Sequence, residues 1–431
     1  MRKWTFACII LALIALSGPV FANGTAETKG TITVWDFKYG DVQGVQPAMK
    51  KIDDLIMKQN PGMTIQHVGQ PNDNYYQLVR AAVQAGEGPD VVMFHGGVQA
   101  YEFDDYTAEL DSYIKPFRSE IPEFSWAFCS AGGDAKKPVH LVPITIQGMG
   151  FYYNKALFKK AGLDPNTAPS DLASFMAACE KLKAAGIVPI TAGLQGNPYT
   201  LDFMFRCLVA NIYGPQTVDL VTGKQSFKGN AGFKRATEIV ADLFKKGYID
   251  PNGTSTPYFM DAANNFAAGK GAIFVGLNSD VCHWKVFNDA LGKDNVGYFP
   301  TINFPEAKFK DQQVGQPCGI GYAIMKWSKN KDAAAKFIEG YAQGEGASIW
   351  MSMTGALSPN TKLDVGKMGY PLVGEILKRT ADRDFVTLLT NEDANSNFDR
   401  YCTQAFVSQE TSLDQFIDSC QTMLDNARAA K

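Results

Sequence analysis

The chain has 431 residues, of which 45% are hydrophobic and 20% are charged. This length and composition support well-formed hydrophobic cores and indicate two or three structural units. The formal net charge is -3 at pH 7 and the basic residues are scattered. This argues against nucleic acid as the main partner, because such binding needs a concentrated basic face.

The first predicted element is an export signal over residues 1–22. Arg2 and Lys3 are followed by an apolar run over 6–16, and residues 20–22 (VFA) place small side chains where a signal peptidase reads them. The run is shorter than the ~20 residues that a membrane helix needs. We therefore expect cleavage near residue 22 and export to the periplasm or the cell surface, with a retained anchor as the alternative.

The cysteines give no metal or redox signature. Eight occur, and Cys8 lies in the predicted signal, which leaves seven. An odd number requires at least one unpaired thiol in a monomer, and no CxxC pattern indicates zinc. One or two disulfides are possible in an oxidising compartment, but we expect buried free thiols for most of the seven.

The first part of the mature chain alternates between strand and helix patterns. Compact β-branched or apolar runs predict strands at 31–35, 63–68 and 89–94, while helical spacing of apolar residues predicts helices at 47–60 and 75–83. This β-α-β-α-β order predicts a parallel sheet with helices on both faces.

The stretch 143–162 begins as a strand and ends as a helix that starts after Asn154. Between them, Gln147 is followed by two glycines, Gly148 and Gly150, and then by three aromatic residues. One interpretation is a packed βα turn. The other is a crossing between two lobes that also contacts a ligand.

The later pattern repeats the α/β theme. Helical spacing predicts helices at 170–185 and 233–247, and apolar runs predict strands at 187–193, 272–276 and 321–325, before helices dominate to the end. Two sheets of this kind predict a cleft, since open α/β sheets bind ligands beyond the carboxyl ends of their strands.

Five loops at predicted strand ends combine glycine with an aromatic or polar residue. They are WDFKYG (35–40), FHGG (94–97), QGMG (147–150), QGNPY (195–199) and GLNSD (276–280). A single loop of this kind is ordinary. Five at corresponding strand ends predict a binding site.

Signatures of common enzyme classes are missing from the sequence. The four histidines form no HxxxH or HExxH pair, and the GxSxG elbow, the P-loop and a GxGxxG after the first strand are all absent. We therefore predict no catalytic residues, no cofactor and no metal ion.

Six stretches resemble, in order, the sugar-binding branch of the extracellular solute-binding proteins of bacterial ABC importers (family 1), which includes the maltose-binding proteins. They are ITVWD, YYQLVRAAVQAGEGPDVVMF, VPITIQGMGFYYNKALFKKAGLD, FAAGKGAIFVG, GQPCGIGYAI and GALSP. Together they extend from about residue 31 to residue 358, and the third and fourth stretches are the most specific.

The resemblance implies the type II periplasmic binding protein fold, an α/β architecture of two doubly wound lobes joined by a three-crossing hinge. Lobe one is expected to contain residues 23–146 and 302–344. Lobe two is expected to contain residues 147–301 and 345–431.

The crossings are expected near 146–149, 299–302 and 343–346. Hinge motion needs only a few residues at the ends of elements to change their dihedral angles. Gly148 and Gly344 suit that role.

The resemblance also implies a function, that of a substrate-binding component of an ABC transporter. It captures a mono- or oligosaccharide in the cleft and delivers it to a membrane permease, is not an enzyme, and is expected to be a monomer. Another solute in the same fold, namely a polyol, a sugar phosphate or a polyamine, is the first alternative. An exported glycan hydrolase is the second, since paired catalytic carboxylates cannot be recognised from spacing alone.

By the family pattern, residues after the first and third strands contact the solute. These are Trp35, Asp36, Lys38, Phe94 and His95. For Trp35 the alternative is a core position, and for Asp36 a carboxylate that caps its own turn. A lone histidine is more often structural.

Further contacts are implied in the middle and late parts of the chain. Gln147 stands where maltose binders carry a glutamate, and this departure argues against maltose itself. Asn197 and Tyr199 match a polar–proline–aromatic loop. Gln316 and Cys318 lie at the expected rim of the cleft.

The last implied group follows the strand AIFVG. Asn278, Ser279 and Asp280 occupy the loop where many relatives place a tryptophan platform. Here the tryptophan, Trp284, comes one turn later. We expect the loop residues and Trp284 to contact the solute.

Overall fold

The computed structural model describes residues 30–40, 45–71, 74–196, 198–256, 259–277, 283–368, 370–374, 376 and 392–429. The predicted export signal over 1–22 lies outside these residues, as do Asn197 and the loop 278–280.

The first sheet has five strands in the spatial order β2-β1-β3-β10-β4. They are β1 (Thr31–Asp36), β2 (Thr64–Gly69), β3 (Val91–His95), β4 (Val142–Pro143) and β10 (Ile320–Ile324). β1 runs parallel to β2 and β3, while β10 runs antiparallel to β3 and β4. The predicted parallel start is confirmed, with a late antiparallel strand added.

The second sheet is mixed and is built around the long strand β5 (Gln147–Asn154). The others are β6 (Val188–Ile190), β7 (Gly271–Leu277), β8 (Val296–Phe299) and β9 (Val314–Gln316). β7, β8 and β9 pair antiparallel with β5, and β6 pairs parallel with β7. The aromatic run 151–153 is buried in β5.

The α-helices surround the two sheets. In chain order they are α1 (Val45–Gln59), α2 (Tyr75–Ala85), α3 (Val98–Tyr101), α4 (Asp111–Ile114), α5 (Glu123–Cys129), α6 (Lys155–Lys160), α7 (Leu172–Ala184), α8 (Tyr199–Tyr213), α9 (Val218–Thr222), α10 (Ala231–Lys245), α11 (Phe259–Ala267), α12 (His283–Leu291), α13 (Lys331–Ala342), α14 (Gly344–Thr354), α15 (Glu392–Cys402) and α16 (Leu413–Ala429). In α1 the buried residues Met49, Ile52 and Ile56 recur at helical spacing, which explains its packing.

Two hydrophobic cores divide the chain. The first core is formed by buried residues within 32–144 and 318–356, and the second by buried residues within 146–314 and 357–424. Within the described residues, the chain therefore passes between the cores three times. The two α/β units and their three connections confirm the predicted fold class.

Two of the three connections lie later in the chain than the sequence predicted. Ile302 and Phe304 are buried in the second core, so this connection falls between residues 314 and 318. Trp350 is buried in the first core, and the third connection falls between residues 356 and 357. Gly344, expected at a hinge, has a φ of 63° and begins α14, which packs with the first core. The division into separately moving lobes stays a prediction.

The three connections meet in space. The backbone N–H of Ile146 donates to the carbonyl of Leu357 at 2.8 Å. Gln147 and Gln316 are Cα partners where β5 pairs with β9. Gln147, the polar residue that precedes the two glycines, therefore lies at the junction of both cores.

Candidate functional site

The carboxyl ends of β1 and β3 and the first residue of β10 come together beside the junction, because two glycines allow close approach. A Cβ on Gly96 would lie 2.4 Å from the carbonyl oxygen of Cys318, and one on Gly319 would lie 2.7 Å from Oγ1 of Thr145. The N–H of Gly96 donates to the carbonyl of Gly319 at 3.1 Å. Side chains at these positions would push the strand ends apart.

Gln147 and Gln316 form the amide part of the candidate site. Both side chains are partly exposed. Gln147 also lies close to the start of β10, since a Cβ added to Gly319 would lie 3.3 Å from the Cβ of Gln147. An amide offers donors and acceptors in one plane, which suits vicinal hydroxyl groups. The structure thus brings together two predicted contacts that are 169 positions apart in the chain numbering (316 minus 147).

His95 forms the aromatic part, together with two residues that sequence reasoning did not select. The ring of Phe37 stacks on His95 with centroids 4.5 Å apart. The hydroxyl of Tyr76 accepts from the backbone N–H of His95 at 3.0 Å and lies 2.9 Å from Nδ1. If the hydroxyl donates a hydrogen bond to Nδ1, the N–H of a neutral ring is on Nε2. Lys38 Nζ lies 5.5 Å from the centroid of Phe37.

Asp36 is wholly buried, and both of its oxygens accept hydrogen bonds from within the chain. Oδ1 accepts from the N–H groups of Lys38 and Tyr39 at 2.5 and 3.1 Å. Oδ2 accepts from the Tyr322 hydroxyl at 2.5 Å and lies 3.2 Å from Nε2 of His67. The turn-capping alternative therefore describes Asp36 in this structure better than a direct contact with a solute.

Three predicted contacts are committed to the hydrophobic cores. Phe94 is 1% exposed and stacks on Phe103, and Cys318 is fully buried. Trp284, expected as an aromatic platform, is fully buried and donates from Nε1 to the carbonyl of Gly355 at 3.0 Å. These side chains offer no surface to a solute in this structure.

The remaining predicted solute contacts are Trp35, Tyr199, Asn197 and residues 278–280. Trp35 is partly exposed, on the opposite face of β1 from Asp36, and packs against the first core. Tyr199 begins α8 and its ring stacks on Phe203 with centroids 5.8 Å apart. Asn197 and the residues 278–280 lie outside the described part of the chain.

His67 joins two buried carboxylates. Its Nδ1 lies 2.8 Å from Oδ2 of Asp53, and its Nε2 faces Asp36. The other oxygen of Asp53 accepts from the Tyr341 hydroxyl at 2.9 Å. The His67 side chain is 2% exposed. No sequence signal identified this group, because its members come from separate elements.

The charge state of His67 follows from these neighbours. Burial by itself would lower the pKa of His67, but the hydrogen bonds and charges of Asp36 and Asp53 outweigh it and raise the pKa from 6.5 to about 9. His67 is therefore an imidazolium at neutral pH. Burial and the same carboxylates hold the pKa values of Tyr322 and Tyr341 well above their usual range, so both hydroxyls remain donors.

A separate concavity of about 500 Å³ lies along the outer edge of β8, between Lys155, Pro169, Lys293 and Pro371. None of the predicted contacts lines it. We place the candidate site at the junction because strand ends and polar side chains converge there. Among the described residues, no cluster of three or more His, Cys, Asp or Glu side chains could hold a metal ion, and no helix is long and apolar enough to cross a membrane.

Comparisons with known proteins bear on the family and the fold. The sequence profile of the family described as bacterial extracellular solute-binding protein matches residues 39–347. The chain is 26% identical over 375 residues to the sn-glycerol-3-phosphate-binding periplasmic protein UgpB of Shigella dysenteriae serotype 1, which covers 79% of this chain and 76% of the relative.

Two solved structures show the same fold. A chitin oligosaccharide binding protein has a TM-score of 0.79 and 20% identity, covering 93% of this chain and 99% of its own. Maltose-bound MalE3 of T. maritima has a TM-score of 0.72 and 19% identity, covering 92% and 99%. Because the family profile spans well over half of the sequence, the chain belongs to the bacterial extracellular solute-binding proteins.

Proposed function

We propose that this protein is the substrate-binding component of an ABC importer and captures a mono- or oligosaccharide at the junction of its two cores. A pyranose presents hydroxyl groups around its rim and C–H groups on its faces. The candidate site offers matching groups, with the amides of Gln147 and Gln316 and the partly exposed ring of His95, which stacks on the buried Phe37. The structural relatives named for chitin oligosaccharide and maltose support this class of solute.

The observation that carries the proposal is the position of Gln147. It is the first residue of the strand that leaves the first core for the second, and it lies beside Gln316 on the return connection. A solute bound there touches both cores at once. Such a ligand favours the closed arrangement through its differential contacts, as expected for a receptor that delivers its solute to a membrane permease.

A second candidate solute is sn-glycerol 3-phosphate or a related sugar phosphate, because the UgpB relative is named for it. Lys38 is the only lysine or arginine among the predicted contacts, and it is 8% exposed. One cation is a weak basis for binding a dianion, so we place this solute second. A polyamine is disfavoured, since Asp36 is already occupied by donors from within the chain.

We further propose that the protein is exported, acts in the periplasm or at the cell surface, and works there as a monomer without catalytic activity or nucleic-acid binding. The family description and the periplasmic relative support export. Mass spectrometry of a sugar after incubation with the protein would separate this proposal from an exported glycan hydrolase, which would cleave it.

A thermal-shift screen tests the solute class. Neutral oligosaccharides, polyols, sn-glycerol 3-phosphate and spermidine are compared on the intact protein. A solute at 100 times its dissociation constant stabilises the native state by roughly 2.7 kcal/mol, which gives a clear rise in melting temperature. A shift with a neutral saccharide supports the proposal. A shift with the phosphate or spermidine alone overturns it.

Gln147→Ala tests the place of binding. We expect an affinity loss of about tenfold for the saccharide found in the screen, with little change in the melting temperature of the free protein. Gln59→Ala is the matched control, since Gln59 is exposed at the last residue of α1. Equal affinities for the two variants would remove Gln147 from the site.

A further inference from the structure

We propose that a buried charge network positions the segment 37–39, whose Phe37 ring supports His95 at one wall of the solute site. The network consists of Asp36, His67, Asp53, Tyr322 and Tyr341, and we call it the His67 network. In this role Asp36 is a positioning residue and does not contact the solute. The inference rests on the proposed function for the identity of the site, but its first test does not require a solute.

The proton arrangement follows from geometry. Each ring nitrogen of His67 faces a carboxylate oxygen, at 2.8 Å for Asp53 and 3.2 Å for Asp36. A neutral imidazole has one N–H, so one of its lone pairs would point at a carboxylate. Only the imidazolium donates to both. The ring thus ties β1 to α1 through β2.

The network holds the segment 37–39 in two ways. The N–H groups of Lys38 and Tyr39 both donate to Oδ1 of Asp36, whose other oxygen is bound by His67 and Tyr322. The ring of Tyr39 also stacks on His67, with centroids 4.3 Å apart. Backbone and side chain are therefore both fixed by the same buried group.

The segment in turn supports His95 in the candidate site. Phe37 is 2% exposed and stacks on His95, and Lys38 Nζ lies over the Phe37 ring. A shift of the segment would displace both side chains from the end of β3. Preorganisation of such a wall lowers the ordering cost of binding a solute.

Loss of the His67 proton would weaken this support. The titratable and charged groups that face His67 or its partners are Asp36 of β1, Tyr39 after it, Asp53 and Asp54 of α1, Tyr75 of α2, Tyr322 of β10 and Tyr341 of α13. All of these are acids or tyrosines, and the side chain of Lys38 lies over Phe37, so none of them replaces the imidazolium between Asp36 and Asp53. Alkaline pH should therefore loosen the segment 37–39.

Amide hydrogen exchange of Lys38 and Tyr39, measured by NMR on the full chain without solute, is the first test. We expect protection, corrected for intrinsic rates, to fall at least about tenfold between pH 7 and pH 9.5 in the wild type. His67→Gln should show the low protection already at pH 7. His140→Gln is the control, because His140 is a buried histidine of the first core bonded to Thr107. Unchanged protection in the wild type across this range would overturn the proposal.

Affinity is the second test, with maltotriose and triacetylchitotriose as probes. His67→Gln and Asp36→Asn should each weaken binding about tenfold at pH 7, and the double variant should lose little more, because both changes break one network. Loss in Asp36→Asn alone, with His67→Gln at wild-type affinity, would show a direct contact and contradict the positioning role. If neither probe nor any other saccharide binds, the proposed function fails, whereas the exchange result still decides the network.

Discussion

Each core buries a cluster of two carboxyl groups and one basic side chain, and the two clusters hold their proton in different places. In the first core, His67 lies between Asp36 and Asp53 and contacts both. Both carboxylates are satisfied, and they raise the pKa of the imidazole to about 9 against the opposing effect of burial.

In the second core, the basic group is paired with Asp202. Nε of Arg206 donates to both oxygens of Asp202, at 2.9 and 2.8 Å. Asp399, on α15, has an Oδ1 atom without a hydrogen-bond partner among the described residues. Burial first and then the charge of Asp202 raise the pKa of Asp399 to about 7, although Arg206 opposes them.

The position of the cation accounts for the difference, since each cluster has two acids and one basic group. His67 lies between its two acids, and their hydrogen bonds and charges raise its pKa. Arg206 is paired with Asp202, and burial together with the charge of Asp202 lets Asp399 hold its proton to a higher pH than an ordinary carboxyl group. The predictions that follow separate the clusters by pH window and by the sign of the mutational effect.

The largest expected effect is the removal of one acid from the first cluster. Asp53→Ala should destabilise the protein by about 3 kcal/mol or more at pH 7, because it leaves His67 and the Tyr341 hydroxyl without their shared partner. Urea denaturation measures the change. A loss below about 1 kcal/mol would mean that His67 does not depend on two carboxylates.

The next effect is the pH dependence of the first cluster. The folded pKa of His67, about 9, exceeds the unfolded value of 6.5, so its stabilising contribution is complete below pH 6.5 and is lost as pH rises to 9. The free energy of unfolding should fall by roughly 3 kcal/mol across this window. In His67→Gln this component should vanish. Parallel curves for the two proteins would contradict the assignment.

A smaller effect is expected in the second cluster, where stability also falls as pH rises, but in a lower pH window, and where removal of the charge stabilises the protein. The raised pKa of Asp399 means that its ionisation opposes folding, so stability falls as pH rises from about 4 to 7. Asp399→Asn should therefore stabilise the protein at pH 8 by roughly 1–3 kcal/mol, with no gain below pH 4. The exposed Asp414→Asn serves as control. A destabilised Asp399→Asn protein at pH 8 would show that its carboxylate has a partner.

The sequence was sufficient for the fold because apolar spacing is a local signal. The runs at 31–35 and 89–94 and the helical stripe of α1 each identify their element without knowledge of the rest. The second and third connections were predicted too early in the chain, because their positions depend on non-local packing. Residues 302–314 pack in the second core and residues 344–356 in the first, through contacts with distant elements that spacing does not encode.

Three residues of the candidate site were named from the sequence, and their contact with a solute stays a prediction. Gln147 and His95 stand in glycine-containing loops at predicted strand ends, Gln316 was implied by the family resemblance, and the structure brings their elements together. The sequence left turn capping open for Asp36, but its place in the His67 network was not readable, since its partners His67 and Tyr322 lie 31 and 286 residues away. Trp284 looked like a platform by residue type, but its burial depends on α12 packing beside Gly355.

The central claim, that the first cluster stores its proton on His67, is tested most directly by ¹⁵N NMR of the His67 ring through a pH titration. We predict that both ring nitrogens show the imidazolium pattern at pH 7, with a transition near pH 9 that is missing from His67→Gln. A neutral ring at pH 7, with one protonated and one unprotonated nitrogen, would contradict the account.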